Sequence, residues 1–212
     1  MRWTGKHSVS SQRWLDRQAK DCFVRKAKES GYRARSAFKL LEIDEKYHIL
    51  KQARSIIDLG AAPGGWSQVI SQKIDQGVCK ATKVVGVDLL NFSPLPHVIQ
   101  IIGDFTNGDI QKHIIEELDG KADLIISDMA PSTTGNRQVD HWKIMGLLDS
   151  VFLFLDSHLI QHGNFVAKVF QGSDTQRYIE SLKQCFKKVT YFKPKASRSE
   201  SVEIYVIALD KK

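Results

Sequence analysis

Asp58-Leu59-Gly60-Ala61-Ala62-Pro63-Gly64-Gly65-Trp66 closes an apolar run and sets three glycines in one turn. In open α/β sheets, ligands bind beyond the carboxyl ends of the strands, where a glycine-rich turn lets backbone approach them. Gly60, Gly64 and Gly65 supply that freedom, and the N-terminus of a following helix favours a carboxylate or phosphate. The spacing is not the dinucleotide fingerprint, since Gly60, Ala62 and Gly65 read G-x-A-x-x-G with a proline inside the turn. No Gly-Lys-Ser/Thr follows, which excludes a phosphate-binding P-loop. Two aspartates follow in order. Asp88 ends the next strand, where a carboxylate can accept both hydroxyls of a ribose. Asp104 follows a third strand in Ile102-Gly103-Asp104-Phe105, suited to accept from an exocyclic amine with an aromatic beside the purine. Either one alone reads equally well as a turn or cap residue. Together, behind this loop, they fit an adenosine-bearing ligand, and the missing dinucleotide spacing points to S-adenosylmethionine.

Other residues bear on the acceptor of a methyl group. Transfer to a pyrimidine carbon generally uses a cysteine nucleophile after proline, and none of Cys22, Cys79 and Cys185 follows one. Base-amine acceptors go with an Asn/Asp-Pro-Pro-aromatic motif. Asp128-Met129-Ala130-Pro131-Ser132 lacks both the second proline and the aromatic. Oxygen is the better acceptor. Lys168 stands out because it interrupts an apolar strand between Ala167 and Val169, beside the loop that carries Asp128. Lys39 borders the apolar stripe of a helix, one turn from Arg35, so it can face a cleft instead of open solvent.

The elements that must position these groups alternate. Strand-like runs cover Ser55–Leu59, Val84–Leu89, Val98–Ile102, Leu124–Asp128, Asn164–Phe170, Val189–Phe192 and Glu203–Leu209, with helical stretches between most of them. A helix over Ala34–Tyr47 shows Ala37, Leu40, Ile43 and Tyr47 at helical spacing, and another over Asp140–Leu159 repeats apolar residues from Ile144 onward. Gln161-His162-Gly163 reads as its stop, and His158 and His162 mark a helix end rather than a metal pair. Alternation implies an α/β fold with a mostly parallel sheet covered on both faces. The short polar link Lys193–Val202 makes the last two strands antiparallel neighbours.

Charge is uneven along the 212 residues. Residues 1–39 hold 11 Lys/Arg against 3 Asp/Glu, a net of +8, whereas residues 40–212 net −1. Such a segment attracts polyanions by counterion release and long-range steering. The acid-poor start also has the flavour of a mitochondrial transit peptide. Trp3 and Trp14 among the basic residues, and a helix over Leu15–Lys28 ending at Gly31, favour an RNA-binding arm. The chain divides into residues 1–33, a basic arm and helix, and residues 34–212, one catalytic domain. Scattered, odd-numbered cysteines suit a reducing, cytoplasmic setting, no apolar run is long enough to span a bilayer, and no extra apolar surface suggests more than a monomer.

These blocks resemble the FtsJ/RrmJ family of ribose 2′-O-methyltransferases acting on bacterial large-subunit (23S) ribosomal RNA. The resemblance runs through the Trp-containing basic arm, Arg33-Ala34-Arg35-Ser36-Ala37-Phe38-Lys39-Leu40 and Asp58–Gln68. It continues through Val87-Asp88-Leu89-Leu90, Ser127–Pro131, Val166–Gly172 and Ser197–Tyr205. It implies a Rossmann-like methyltransferase fold with a seven-stranded sheet and one antiparallel strand. It also implies a Lys-Asp-Lys-Glu tetrad, matched here by Lys39, Asp128, Lys168 and Glu203, and cofactor contacts at Gly60, Gly64, Trp66, Asp88, Asp104 and Asp128, with no metal. The implied substrate is a uridine in the large (50S) subunit. Transfer RNA, a mitochondrial ribosome, or RNA binding without catalysis are the competing readings.

A sulfonium-to-oxygen transfer is an in-line displacement, and alignment contributes at best ~7–11 kcal/mol. A ribose hydroxyl is a poor nucleophile, so Lys168 is the candidate general base. A free lysine is protonated near neutrality (reference ~10.4), and nearby carboxylates reinforce that. Desolvation, Lys39 and the sulfonium act in the opposite sense, so the expectation is a lysine that becomes neutral only in the loaded complex, oriented by Asp128. Lys39 and Glu203 would position the ribose and its flanking phosphate.

Overall fold

The computed structural model describes residues 21–130 and 137–212. The arm expected over residues 1–12 therefore lies outside the described residues. Seven strands form one sheet in the order β3-β2-β1-β4-β5-β7-β6. They are β1 (Ser55–Leu59), β2 (Lys83–Asp88), β3 (Val98–Ile102), β4 (Ala122–Ser127), β5 (Leu159–Phe170), β6 (Phe186–Phe192) and β7 (Glu203–Lys211). All neighbours pair in parallel except β7, which runs antiparallel to both β5 and β6. The expected antiparallel pairing across the short 193–202 link is what the sheet contains.

Helices cover both faces, as two apolar layers require. On one face lie α1 (Cys22–Glu29), α2 (Ala37–Tyr47) and α3 (Gly65–Asp75), and on the other α4 (Gly108–Leu118), α5 (Arg137–His158) and α6 (Ser173–Cys185). Strand side chains alternate faces, so parity sorts them. Ile57, Leu59, Ile125, Phe165, Ala167 and Val169 feed the α4–α6 side. Ile56, Leu124, Ile126, Val166 and Ile207 feed the α2–α3 side. Asp58, Asp128, Lys168, Glu203 and Tyr205 share the parity of this second set, so all five are directed to the layer where Lys39 sits on α2.

Three boundaries differ from expectation. The helix expected over Leu15–Lys28 is broken at Asp21, which adopts an extended conformation and whose carboxylate accepts from Phe23 N as an N-cap, so a helix starts at Cys22; Leu15–Lys20 lie outside the described residues. α2 starts at Ala37, not Ala34, because three-residue turns, Ala37 N to Ala34 O and Phe38 N to Arg35 O, lead into it. β5 starts at Leu159, so the presumed stop Gln161-His162-Gly163 lies inside the strand, with His162 at φ 63° and a register shift opposite Ala122–Leu124. Helix α5 ends instead where Lys211 Nζ donates to the carbonyls of Leu155, Asp156 and Leu159. A cation on the last carbonyls stabilises that end. His158 stacks on Phe154 at 3.8 Å, whereas His162 pairs with Asp210 on β7, so the two histidines share no site.

Candidate active site

The four residues matched to the tetrad converge. Lys168 Nζ lies 3.0 Å from Asp128 Oδ1 and also donates to the Asp128 carbonyl. Lys39 Nζ lies 3.8 Å from the same Asp128 oxygen and 2.8 Å from Glu203 Oε1. Each comes from a different element, namely α2, the end of β4, β5 and the first residue of β7. Lys39 is only 7% exposed, which agrees with its expected orientation into a cleft.

A fifth side chain joins them. Tyr205 lies directly opposite Lys168 in the β5–β7 register and is fully buried. Its hydroxyl donates to Asp128 Oδ1 at 2.5 Å and accepts from Lys39 Nζ at 3.0 Å. In the sequence Tyr205 stands out only as part of the Ser197–Tyr205 block. In Ile204-Tyr205-Val206 it reads as an ordinary core aromatic, and the only available signal was its parity with Glu203. Burial, then the charges of Asp128 and Glu203, raises its phenol well above the usual value, so it stays a donor.

The ion pairs set the charge states. Burial acts to raise the Asp128 carboxyl, but Lys168 and Lys39 outweigh it and hold it below the usual carboxylate range. Burial likewise acts to raise Glu203, and Lys39 beside it brings it below the ordinary value. Two lysines thus face two ionised carboxylates with a tyrosine hydroxyl between them.

The glycine loop behaves differently. Gly60 and Gly64 sit at φ +76° and +101°, in the left-handed region that side chains rarely adopt. A Cβ on Gly60 would stand 2.3 Å from Met129 Cγ, and one on Gly64 would stand 2.7 Å from Arg33 Nη1. The Ala62–Pro63 bond is cis. Asp88 accepts from Ala62 N at 2.9 Å and Leu90 N at 2.8 Å, binding the loop to the end of β2. Asp104 Oδ1 accepts from Thr106 N and Oγ1, while its other oxygen has no partner among the described residues. Both aspartates are therefore turn residues with acceptor capacity to spare. Trp66 is 2% exposed and donates its indole N–H to Ser36 O, so only its backbone can meet a ligand. The ring of Phe105 is also buried, edge-on to Phe154 at 5.7 Å, and does not stand open beside Asp104 as expected.

Asp58 begins the loop, and a carboxylate in the apolar run Ile56-Ile57-Asp58-Leu59 is itself a signal of function that loop spacing alone does not carry. One oxygen accepts from Ser67 Oγ at 2.6 Å, and the other is buried without a partner. Burial pushes its carboxyl up to about 7, against the Ser67 hydrogen bond and with help from the Asp128 and Asp88 charges.

The model of the FtsJ-like methyltransferase family matches residues 32–211. The chain belongs to this family. It is 47% identical over 203 residues to the ribosomal RNA large subunit methyltransferase E of Zymomonas mobilis, covering 96% of this chain and 90% of that one. Against the protein of the same name from Granulibacter bethesdensis, identity is 46% over 203 residues, with 96% and 86% covered. Among solved structures, a chain described as a ribosomal RNA methyltransferase from Plasmodium falciparum matches with a TM-score of 0.76 at 32% identity, over 85% of this chain and 98% of that one. As a member of the FtsJ-like methyltransferases, the chain is an enzyme, and S-adenosylmethionine is its cofactor.

The residues present fit that cofactor. It carries a sulfonium and an ammonium, and the loop is bordered by Asp58, Asp88 and Asp128, with one buried carboxylate oxygen unpartnered. Among the described residues no lysine or arginine forms an ion pair with Asp58 or Asp88. A group that keeps a net positive charge, its own carboxylate included, suits such a site.

Proposed function

We propose that this enzyme methylates the ribose 2′-hydroxyl of a uridine in large-subunit ribosomal RNA, acting as a monomer on the assembled subunit in the cytoplasm. The observation that carries the reading is the convergence of Lys39, Asp128, Lys168 and Glu203 beside the glycine loop. The printed names of the relatives support the ribosomal substrate.

S-adenosylmethionine, when bound, supplies an electrophilic methyl group. The backbone of Gly60, Gly64 and Trp66 and the carboxylates of Asp88, Asp104 and Asp128 hold it. Lys168, in its neutral form, accepts the proton of the 2′-hydroxyl, and Asp128 orients the amine through the 3.0 Å contact. Lys39 and Glu203 position the ribose and its flanking phosphate. Tyr205, hydrogen-bonded to both Asp128 and Lys39, keeps the two halves of the quartet in register. The net +8 of residues 1–39 draws the RNA, with residues 1–33 as its contact arm and residues 34–212 as the catalytic domain.

Incubation with labelled cofactor and separate pools of large subunits, small subunits and transfer RNA tests the substrate. Ribose label is expected in the large subunit. Label confined to transfer RNA would overturn the choice.

A further inference from the structure

The loop between β6 and β7 delivers Glu203, and it is tied down at several points. Glu42 on α2 accepts from Lys195 N at 2.7 Å and Ala196 N at 2.8 Å. Lys193 Nζ donates to the carbonyls of Ser199 and Ser201, and Glu203 N donates to Ser201 Oγ at 3.2 Å. A further tie crosses from the start of the described chain. Asp21 Oδ2 pairs with Arg35 Nη1 and with Arg198 Nε at 3.2 Å, and Arg35 Nη2 donates to Ala196 O.

This cluster is not a surface ornament. The side chains of Asp21 and Arg35 are 8% and 15% exposed, and Arg198 is 30% exposed. Exposed ion pairs contribute little, but removing one member of a buried set leaves the others uncompensated. Asp21 is the shared acceptor. It also caps α1, and α1 packs Phe23 on Phe38 of α2, the neighbour of Lys39. One carboxylate therefore joins the start of α1, the turn before α2 and the loop that ends at Glu203.

We infer that Asp21 is a positioning residue for methyl transfer: it latches the β6–β7 loop to α1 and α2 and so fixes Glu203 against Lys39. This rests on the role proposed above for Glu203. Without the latch, Arg198 and Arg35 are released from Asp21, the loop keeps its Glu42 and Lys193 ties and the Gln171 N to Val202 O bond at its end, and the 2.8 Å Lys39–Glu203 contact loosens. The acceptor side is affected and the cofactor side is not, because among the described residues none of the ties of Asp21, Arg35 and Arg198 reaches the Gly60–Trp66 loop.

Asp21→Asn separates the latch from helix capping, since asparagine caps about as well as aspartate but cannot pair with two guanidinium groups. With large ribosomal subunits and labelled S-adenosylmethionine, kcat is expected to fall about tenfold while cofactor Kd stays within about twofold. In a Glu203→Gln background the same substitution should cost less than about twofold, because the group it positions is already disabled. A purely structural role would leave the full fall in both backgrounds. Glu42→Gln loosens the same loop from α2 and should show the same collapse, and it carries the test if Asp21→Asn fails to fold. Wild-type rates in both variants, or effects that add to Glu203→Gln, would overturn the latch and leave the role of Glu203 standing. A silent Glu203→Gln is a different result and would remove that role and the latch together.

Discussion

The two halves of the site handle charge in opposite ways. On the β1–β2 side, Asp58 and Asp88 border the glycine loop with no cationic partner among the described residues, and Asp58 is pushed up to about 7 by burial and its acidic neighbours. On the β4–β5–β7 side, Asp128 and Glu203 face Lys168 and Lys39 and stay ionised. The first half is incomplete until positive charge arrives. The second holds its carboxylates between two lysines, and awaits an uncharged hydroxyl. A cationic methyl donor and an uncharged nucleophile are what such halves can accept without leaving a charge unpaired.

Substitutions that strike one half alone sharpen this contrast. The largest effect belongs to Lys168→Ala, which should lower kcat by ~10²–10⁴-fold, the usual range for losing an acid–base group. Cofactor affinity, measured by titration calorimetry, should stay within about twofold. Lys168→Arg keeps a long basic side chain but cannot accept a proton at working pH, so it should not restore the rate at any pH from 6 to 9.

Asp58→Asn probes the other half through stability. The folded carboxyl holds its proton up to about pH 7, whereas the unfolded chain releases it near 3.8. Between those values the folded state binds more protons, so this contribution is complete below pH 4 and is lost as pH rises through 7. The loss is on the order of 4 kcal/mol at 1.36 kcal/mol per pKa unit. Denaturant melts of the cofactor-free protein from pH 4 to 8 should show the decline in wild type and a much flatter profile in Asp58→Asn. Equal slopes would contradict the assignment.

Two smaller effects follow. Tyr205→Phe removes a buried hydroxyl that serves Asp128 and Lys39, costing about 1–3 kcal/mol, read as a fall in kcat of about tenfold with cofactor affinity kept. Asp104→Ala, at an exposed strand end, should weaken cofactor binding about fivefold, near 1 kcal/mol, with kcat unchanged at saturation. A kcat defect in Asp104→Ala would break the division between the halves.

Much of this was legible before any coordinates, for identifiable reasons. Glycine spacing and strand-end aspartates are local, so Gly60–Trp66, Asp88 and Asp104 could be read directly. Lys168 was visible because a lysine between Ala167 and Val169 breaks an apolar strand, and strand parity then fixes its face. The contacts of Tyr205 were not legible, since burial hides the purpose of an aromatic in a β-strand and its partners lie 77 and 166 residues away. Asp21 was equally silent, because in a charged helical stretch an aspartate carries no sign of two distant arginines. Phe105 shows the reverse error: proximity to Asp104 in sequence suggested a purine neighbour, while the fold spent the ring on the core. The early start of β5 escaped because the helix stop comes from Lys211, 52 residues beyond the Leu159 carbonyl it binds.

The account turns on oxygen at the ribose as the acceptor, with Lys168 as the base. Alkaline hydrolysis of labelled large-subunit RNA tests this directly, because a 2′-O-methyl group removes the hydroxyl that cleaves the adjacent phosphodiester. The label should emerge in alkali-resistant dinucleotides with wild-type enzyme and be absent with Lys168→Arg. Label recovered in mononucleotides would place the methyl group on a base and contradict the central claim.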